Sequence, residues 1–166
     1  MNKPCEQMLH HLSFATNDLV RAGRFYDATL GALGYRRVCD SDWFIGYGIE
    51  DNKDKFALKR QEEPISVPGE GFHLAFAASS RAAVDAFYAA AMSLGATDNG
   101  GCGLHEEYGS NYYAAFVIDP DGYWIEAVIN SGDLDPEPYF TTSADLSSAR
   151  MRRALSFFGS SATDCS

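Results

Sequence analysis

The sequence predicts an α+β fold in which two βαβββ modules pair mixed or antiparallel sheets around a shared cleft, followed by a C-terminal helix. Three observations carry this. The pentapeptide HLSFA at residues 11–15 returns as HLAFA at residues 73–77, 62 positions later (73 − 11 = 62), and at the same offset the pair Phe25-Tyr26 returns as Phe87-Tyr88. Each copy passes from an alternating stretch into an amphipathic one that stops at a glycine. Each amphipathic stretch is then followed by further apolar runs separated by turn-forming residues.

In module one, residues 8–62, Leu12 and Phe14 face one way along the first strand while His11 and Ser13 face the other. TND at residues 16–18 supplies capping side chains for a helix whose stripe is Leu19, Ala22, Tyr26, Leu30 and Leu33 and whose stop is Gly34. YRRVC, WFIGYG and FALKR read as three strands. In module two, residues 70–130, SSR at residues 79–81 caps a helix with the stripe Val84, Phe87, Ala91 and Leu94, ended by Gly95. TDNGGCGLHEEYGS then reads as a glycine-rich loop before the strands NYYAAFVI and YWIEAVI, which the turn DPDG joins. A sheet covered by its helix on one face leaves the other bare, and two bare faces can close one cleft onto which His11 and His73 both point.

Composition narrows the partner. The chain has 166 residues, 46% of them hydrophobic, enough for one core, and residues 1–130 read as a single domain. A net charge of −10 argues against nucleic acid and against an anionic membrane surface, both of which need clustered lysine and arginine, so a small-molecule substrate is expected. No window approaches the roughly 18 apolar residues of a membrane span. Cys5, Cys39, Cys102 and Cys165 are scattered without a CxxC pair, and the first residues lack the apolar run of a signal peptide, which reads as reduced thiols in a cytoplasmic protein. GxSxG, P-loop and HExxH signatures do not occur.

Alternation along YWIEAVI puts Ile125, Ala127 and Ile129 on the helix-covered face and Trp124, Glu126 and Val128 on the other. A carboxylate facing an interior is costly unless it is paired or bound to a cation. His11, His73 and Glu126 together would offer a divalent metal three ligands, with positions left open for substrate or water. Zinc, nickel, manganese and iron all accept imidazole and carboxylate, so the donor set does not choose among them. A single histidine at a strand start is by itself as well read as a core residue; the repeat and Glu126 favour ligation. His105, in GLHEEYGSNYY, is a candidate acid–base residue, the alternative being an ordinary loop histidine. His10 lies on the other strand face from His11. Tyr112 and Tyr113 alternate, so only one can enter the cleft, and Tyr113 is taken as the substrate contact. Trp43 and Trp124 would add an apolar wall, unless they serve only sheet packing.

The repeated plan, the opening HLSFATNDLVRAGRFYDATLGALGY, the second HLAFAA and the closing DPDGYWIEAV resemble the vicinal oxygen chelate superfamily of glyoxalases, bleomycin-resistance proteins and extradiol dioxygenases. The resemblance implies a glyoxalase-like fold, a homodimer, and one divalent metal held from the first strand of each module and the last strand of the second. Those positions here are His11, His73 and Glu126. The chain departs from glyoxalase I and methylmalonyl-CoA epimerase where they use a fourth ligand: aligning FALK with IEAV puts Ala57 there. With the second glutamate missing, metal-bound water or His105 would have to move the proton, and Glu126 would be the one catalytic carboxylate. A His/His/Glu set resembles extradiol dioxygenases and fosfomycin-type thiol transferases. The implied function is a metal-dependent lyase or isomerase that chelates two oxygens of a small substrate; the alternatives are an extradiol-type dioxygenase and a non-catalytic, ligand-sequestering protein. Residues 131–166 lie beyond the resemblance. Their helix, expected at about 143–158 with Met151, Leu155 and Phe158 in one stripe and Arg150, Arg152 and Arg153 elsewhere, either packs across a dimer partner or docks at the chain end.

Overall fold

The computed structural model describes residues 9–130. The expected C-terminal helix at about 143–158 lies outside the described residues. In chain order the elements are β1 (Leu12–Thr16), α1 (Leu19–Ala32), β2 (Arg36–Asp40), β3 (Phe44–Gly48), β4 (Asp54–Arg60), β5 (Leu74–Ala77), α2 (Arg81–Ser93), β6 (Thr97–Leu104), β7 (Tyr113–Ile118) and β8 (Trp124–Ile129). Two four-stranded sheets result, ordered β1-β4-β3-β2 and β5-β8-β7-β6, so the βαβββ plan is present twice. Within each sheet the first and last strands of the module run parallel and the remaining neighbours antiparallel.

Both helices start on caps drawn from the expected stretches: the Asp18 carboxylate accepts from the Arg21 N–H, and the Ser80 hydroxyl oxygen accepts from the Ala83 N–H. Both end before a glycine with positive φ, Gly34 at 89° and Gly95 at 91°, where a side chain would be strained. Ala22, Tyr26, Leu30 and Leu33 are buried as the first stripe requires, and Val84, Phe87 and Ala91 as the second requires. Leu94 is exposed, because α2 ends one residue earlier and the cap turns it out of the stripe. The segment expected as a glycine-rich loop contains β6. Its glycines are accommodated by a register shift between Asp98 and Gly101, after which Gly101, Cys102, Gly103 and Leu104 pair in turn with Phe116, Ala115, Ala114 and Tyr113. Pairing to a strongly apolar β7 outweighs the weak strand preference of glycine.

The two modules join on their helix-bearing sides. Helices α1 and α2 pack on each other. Phe14 of β1 stacks on Tyr123, with centroids 3.9 Å apart and planes within 8°, and Phe56 meets Phe76 edge-on at 5.3 Å. The DPDG turn completes the joint. The Tyr26 hydroxyl donates to Asp119 Oδ2 at 2.7 Å, the Thr16 hydroxyl donates to Asp121 Oδ2 at 2.8 Å, and Arg21 pairs with Asp121. Burial pushes the Asp119 carboxyl above its ordinary value and the Tyr26 hydroxyl well above its own. Among the described residues no helix is long and apolar enough to cross a membrane.

Candidate functional site

The sheet of module two carries a polar residue where strand chemistry asks for an apolar one. Ala75, Glu126, Phe116 and Gly101 are cross-strand partners in one row of that sheet, on the face opposite Ile125 and Ala127. Glu126 is only 1% exposed. Its Oε1 accepts from the Tyr112 hydroxyl at 2.5 Å, whereas its Oε2 is buried without a hydrogen-bond partner. His73 Nε2 stands 3.4 Å from that Oε2, near enough for charge attraction but not aligned as a hydrogen bond. Burial and the adjacent Glu126 carboxylate raise the Tyr112 hydroxyl above its ordinary range, so it remains a donor.

Aromatic rings surround this carboxylate. Phe116, Glu126's partner in the register, receives the His105 ring edge-on at 4.9 Å and lies 6.1 Å from Tyr108, which in turn is 5.3 Å from Tyr112. Space for Phe116 is made by glycine: a Cβ on Gly100 would lie 3.3 Å from its ring, and φ there is 139°. His105 is anchored at its backbone, whose N–H donates to the Tyr112 carbonyl at 2.8 Å, and its Nδ1 lies 3.3 Å from Glu107 Oε1. His105 Nε2 is the second buried atom with no partner.

Not every residue expected at the site is here. His73 and Glu126 come together; His11 does not join them. It sits before β1 in the other sheet, exposed, with its Nδ1 2.9 Å from His10 Nδ1, and it lines a cavity of 530 Å³ with Leu9, Tyr35, Ile49, Phe76 and Ala77. The reason lies in the strand pairing. Parallel pairing with β8 brings the start of β5 to Glu126, but the same pairing in module one brings the start of β1 toward Ala57. Among the described residues no group of three His, Cys, Asp or Glu is placed to hold a metal ion.

Tyr113 also lies elsewhere. Its hydroxyl donates to Asp85 of α2 at 2.7 Å and Arg81 sits over its ring at 5.1 Å, so it packs on the helix side while Tyr112 takes the open face. Alternation alone left that choice open; the carboxylate partner of each hydroxyl decides it. Trp124 shares the Glu126 face by register, paired with Ile118. Trp43 belongs to module one, 57% exposed, with Arg60 over its ring at 5.5 Å, beside a separate cavity of 790 Å³ near the start of α1. Tyr112 and Phe116 were not singled out from the sequence as substrate contacts; their spacing of four, in phase with Glu126 across the sheet, is the signal that carries them.

The donor chemistry suits a cation in part. A buried carboxylate oxygen beside a histidine nitrogen is a donor pair of the kind a cation takes, and among the described residues no third His, Cys, Asp or Glu joins it.

Residues 8–127 match the family model of the Glyoxalase/Bleomycin resistance protein/Dioxygenase superfamily. A glyoxalase/bleomycin resistance protein from Albidiferax ferrireducens is 30% identical, covering 75% of this chain and 100% of its own, with a TM-score of 0.65. A putative glyoxalase from Bacillus halodurans is 27% identical over 74% of this chain and 96% of its own, with a TM-score of 0.55. The fosfomycin resistance protein FosX from Mesorhizobium loti, at 19% identity over 78% of this chain and 96% of its own, shares the fold with a TM-score of 0.55. No functionally curated protein matches the chain. With the doubled βαβββ plan and the family match over most of the described residues, the chain belongs to the glyoxalase/bleomycin resistance protein/dioxygenase superfamily.

Proposed function

We propose that the chain is a metal-dependent enzyme of the lyase or isomerase class, acting on a small substrate through two adjacent oxygens, with His73 and Glu126 as two ligands of one divalent cation. The observation that carries this is the Glu126 Oε2 atom, buried and unpaired beside His73. Such an atom is costly to leave unsatisfied, and a cation satisfies it. When bound, a divalent cation supplies Lewis acidity to the oxygens of the substrate. The chain's own residues do the rest. Tyr112 fixes the carboxylate by occupying Oε1, and the Phe116 and Tyr108 rings restrict water. His105, whose Nδ1 lies 3.3 Å from Glu107 Oε1 and whose Nε2 is buried without a partner among the described residues, is the residue that moves the proton.

The third ligand in this reading is His11 of a second copy of the chain. Leu9 and Ile49, 66% and 70% exposed, flank His11 on an apolar surface that a homodimer would cover. Complementation tests it. Neither His11→Ala nor Glu126→Ala alone should retain stoichiometric cation after dialysis, but their mixture, refolded together, should regain about a quarter of the sites, because half the dimers are mixed and each carries one intact site. Metal-loaded protein isomerising hemithioacetals, with activity lost in Glu126→Ala, is the expected result. Wild type that holds no stoichiometric cation after supplementation would overturn the reading, and tight ligand binding without turnover of any substrate would move it to sequestration.

A further inference from the structure

The joint between the modules leaves a space unfilled. A cavity of 530 Å³ lies there, floored by Leu30 of α1, Phe56 of β4 and Phe76 of β5, and Leu30 and Phe56 are buried. It is not the Glu126 cup. Leu74 and Phe76, which line it, are in register with Ile125 and Ala127, the row that faces away from Glu126. Its volume falls within the roughly 300–1,000 Å³ of small-molecule sites, and like them it is mostly apolar.

The polar groups that reach the cavity narrow its ligand. The Tyr35 hydroxyl donates to the Ala77 carbonyl at 3.0 Å and the Tyr47 hydroxyl to Asp27 Oδ1 at 3.0 Å, so both tyrosines offer ring rather than hydroxyl. His10 and His11 turn their Nδ1 atoms toward each other at 2.9 Å. Lys55 is then the lining side chain that stays charged throughout the neutral range, and no described Asp or Glu lines the cavity. In a chain of net charge −10 that is selective: the 790 Å³ cavity near the start of α1 carries Asp18, Asp40 and Asp42.

We infer that this cavity binds a small amphipathic carboxylic acid, with its apolar body among Leu30, Phe56, Leu74 and Phe76 and its carboxylate at Lys55. The site goes beyond the cation reading and does not depend on it. A neutral ligand would fill the same walls but forgo the ammonium, and a cationic one would meet it with like charge. Leu9 and Ile49 stand at the rim, so a second copy that covers them lies over the acid and leaves the floor to it.

The test uses the full chain titrated with octanoate, hexanoate and 1-octanol, followed by calorimetry and NMR. Octanoate should bind about fivefold more tightly than octanol, the scale of one partly exposed charge pair. Hexanoate should bind about tenfold more weakly than octanoate, because two methylenes leave the apolar walls. A carboxylate held only at a surface lysine would show no such dependence. In Lys55→Met the preference for octanoate over octanol should fall to about twofold or less, with octanol bound as before. The methyl resonances of Leu30 and Leu74 should move with octanoate while the ring resonances of Tyr112 and Phe116 do not. Protein with and without added cation should bind octanoate alike, so failure of this site and failure of the cation reading are told apart. No saturable binding, no dependence on chain length, or a preference unchanged in Lys55→Met would overturn the inference. Affinity that falls as protein concentration rises would also overturn it, by giving the cavity to a second copy of the chain.

Discussion

The two modules share their helix-facing chemistry and differ on the opposite sheet face, where equivalent rows can be read across the strands. In module one the row is Ser13, Ala57, Gly46 and Cys39; in module two it is Ala75, Glu126, Phe116 and Gly101. Ala57 and Glu126 occupy the same place in the plan and both are buried. Around Ala57 there is no room for anything larger next door: a Cβ on Gly46 would lie 2.6 Å from Cys39 Sγ and 2.8 Å from Asp54 Cβ. Around Glu126 the row instead ends at Gly101, and its neighbour Gly100 leaves room for the Phe116 ring. The comparison teaches that a repeated fold constrains the face that packs and leaves the other free to take up chemistry in one copy only.

The largest expected effect breaks that asymmetry. Ala57→Glu puts a carboxylate at the place equivalent to Glu126, but with no tyrosine across the strand and with Gly46 and Cys39 closing the space. It should cost about 3 kcal/mol or more in urea denaturation. A variant within experimental error of wild type would mean that module one can host the same site.

The β-turns of the two modules give the second comparison. Asp119, at the β7–β8 turn, accepts the Tyr26 hydroxyl through Oδ2 and the backbone N–H groups of Asp121 and Tyr123 through Oδ1. Asp119→Ala strands these donors at the joint between modules and should cost about 3 kcal/mol. At the β3–β4 turn, Lys53 and Glu50 pair at 2.6 Å on the surface, and Lys53→Ala should leave the denaturation midpoint unchanged. Asp119 also carries a pH signature. Its folded carboxyl holds the proton more tightly than the ordinary value of 3.8, so this group's contribution is fully present below 3.8 and is lost as pH rises through the raised folded value. Measured across that window, wild type should lose stability relative to Asp119→Asn; a gain would reverse the assigned direction.

These contrasts show what the sequence alone could carry. The repeat of HLSFA and HLAFA, the caps Asp18 and Ser80, and the stops at Gly34 and Gly95 are local signals, and the elements they mark are present. Glu126 was legible because one acidic residue interrupts an apolar strand. Strand β6 was not, since three glycines mask a pairing that only β7 supplies. The separation of His11 from Glu126 was not legible either: alternation fixes which face a residue takes, but not whether two modules of one chain join by their bare faces or by their helices. Tyr113 displaced Tyr112 in the expected site for a related reason, because the deciding partners, Asp85 and Glu126, lie on distant elements.

A middle-sized effect sharpens the description of the module-two row. Tyr112→Phe removes the one side-chain hydrogen bond that Glu126 receives among the described residues, leaving both carboxylate oxygens without a donor there. Hydrogen bonds to charged groups are worth about 1.5–3 kcal/mol, and a loss of about 2 kcal/mol is expected by urea denaturation of metal-free protein. An unchanged midpoint would show that water replaces the hydroxyl at that oxygen and that the cup is wetter than its burial suggests.

A small effect on stability, at Glu126, is the most informative about function. Glu126→Ala removes the Tyr112 hydrogen bond, yet it also removes a buried oxygen that has no donor at all. Tyr112 is only partly buried, so its freed hydroxyl can turn to water, and the two contributions oppose each other. The metal-free variant should fall within about 1 kcal/mol of wild type, and the double change with Tyr112→Phe should cost less than Tyr112→Phe alone, a coupling that a double-mutant cycle reads directly. Cation retention, by contrast, should vanish. Residues held in place for function commonly show this pattern, neutral for folding and essential for binding, whereas a structural carboxylate such as Asp119 shows the opposite. If Glu126→Ala instead unfolds the protein as Asp119→Ala is expected to do, Glu126 is a packing residue and the buried carboxylate loses its claim to a cation.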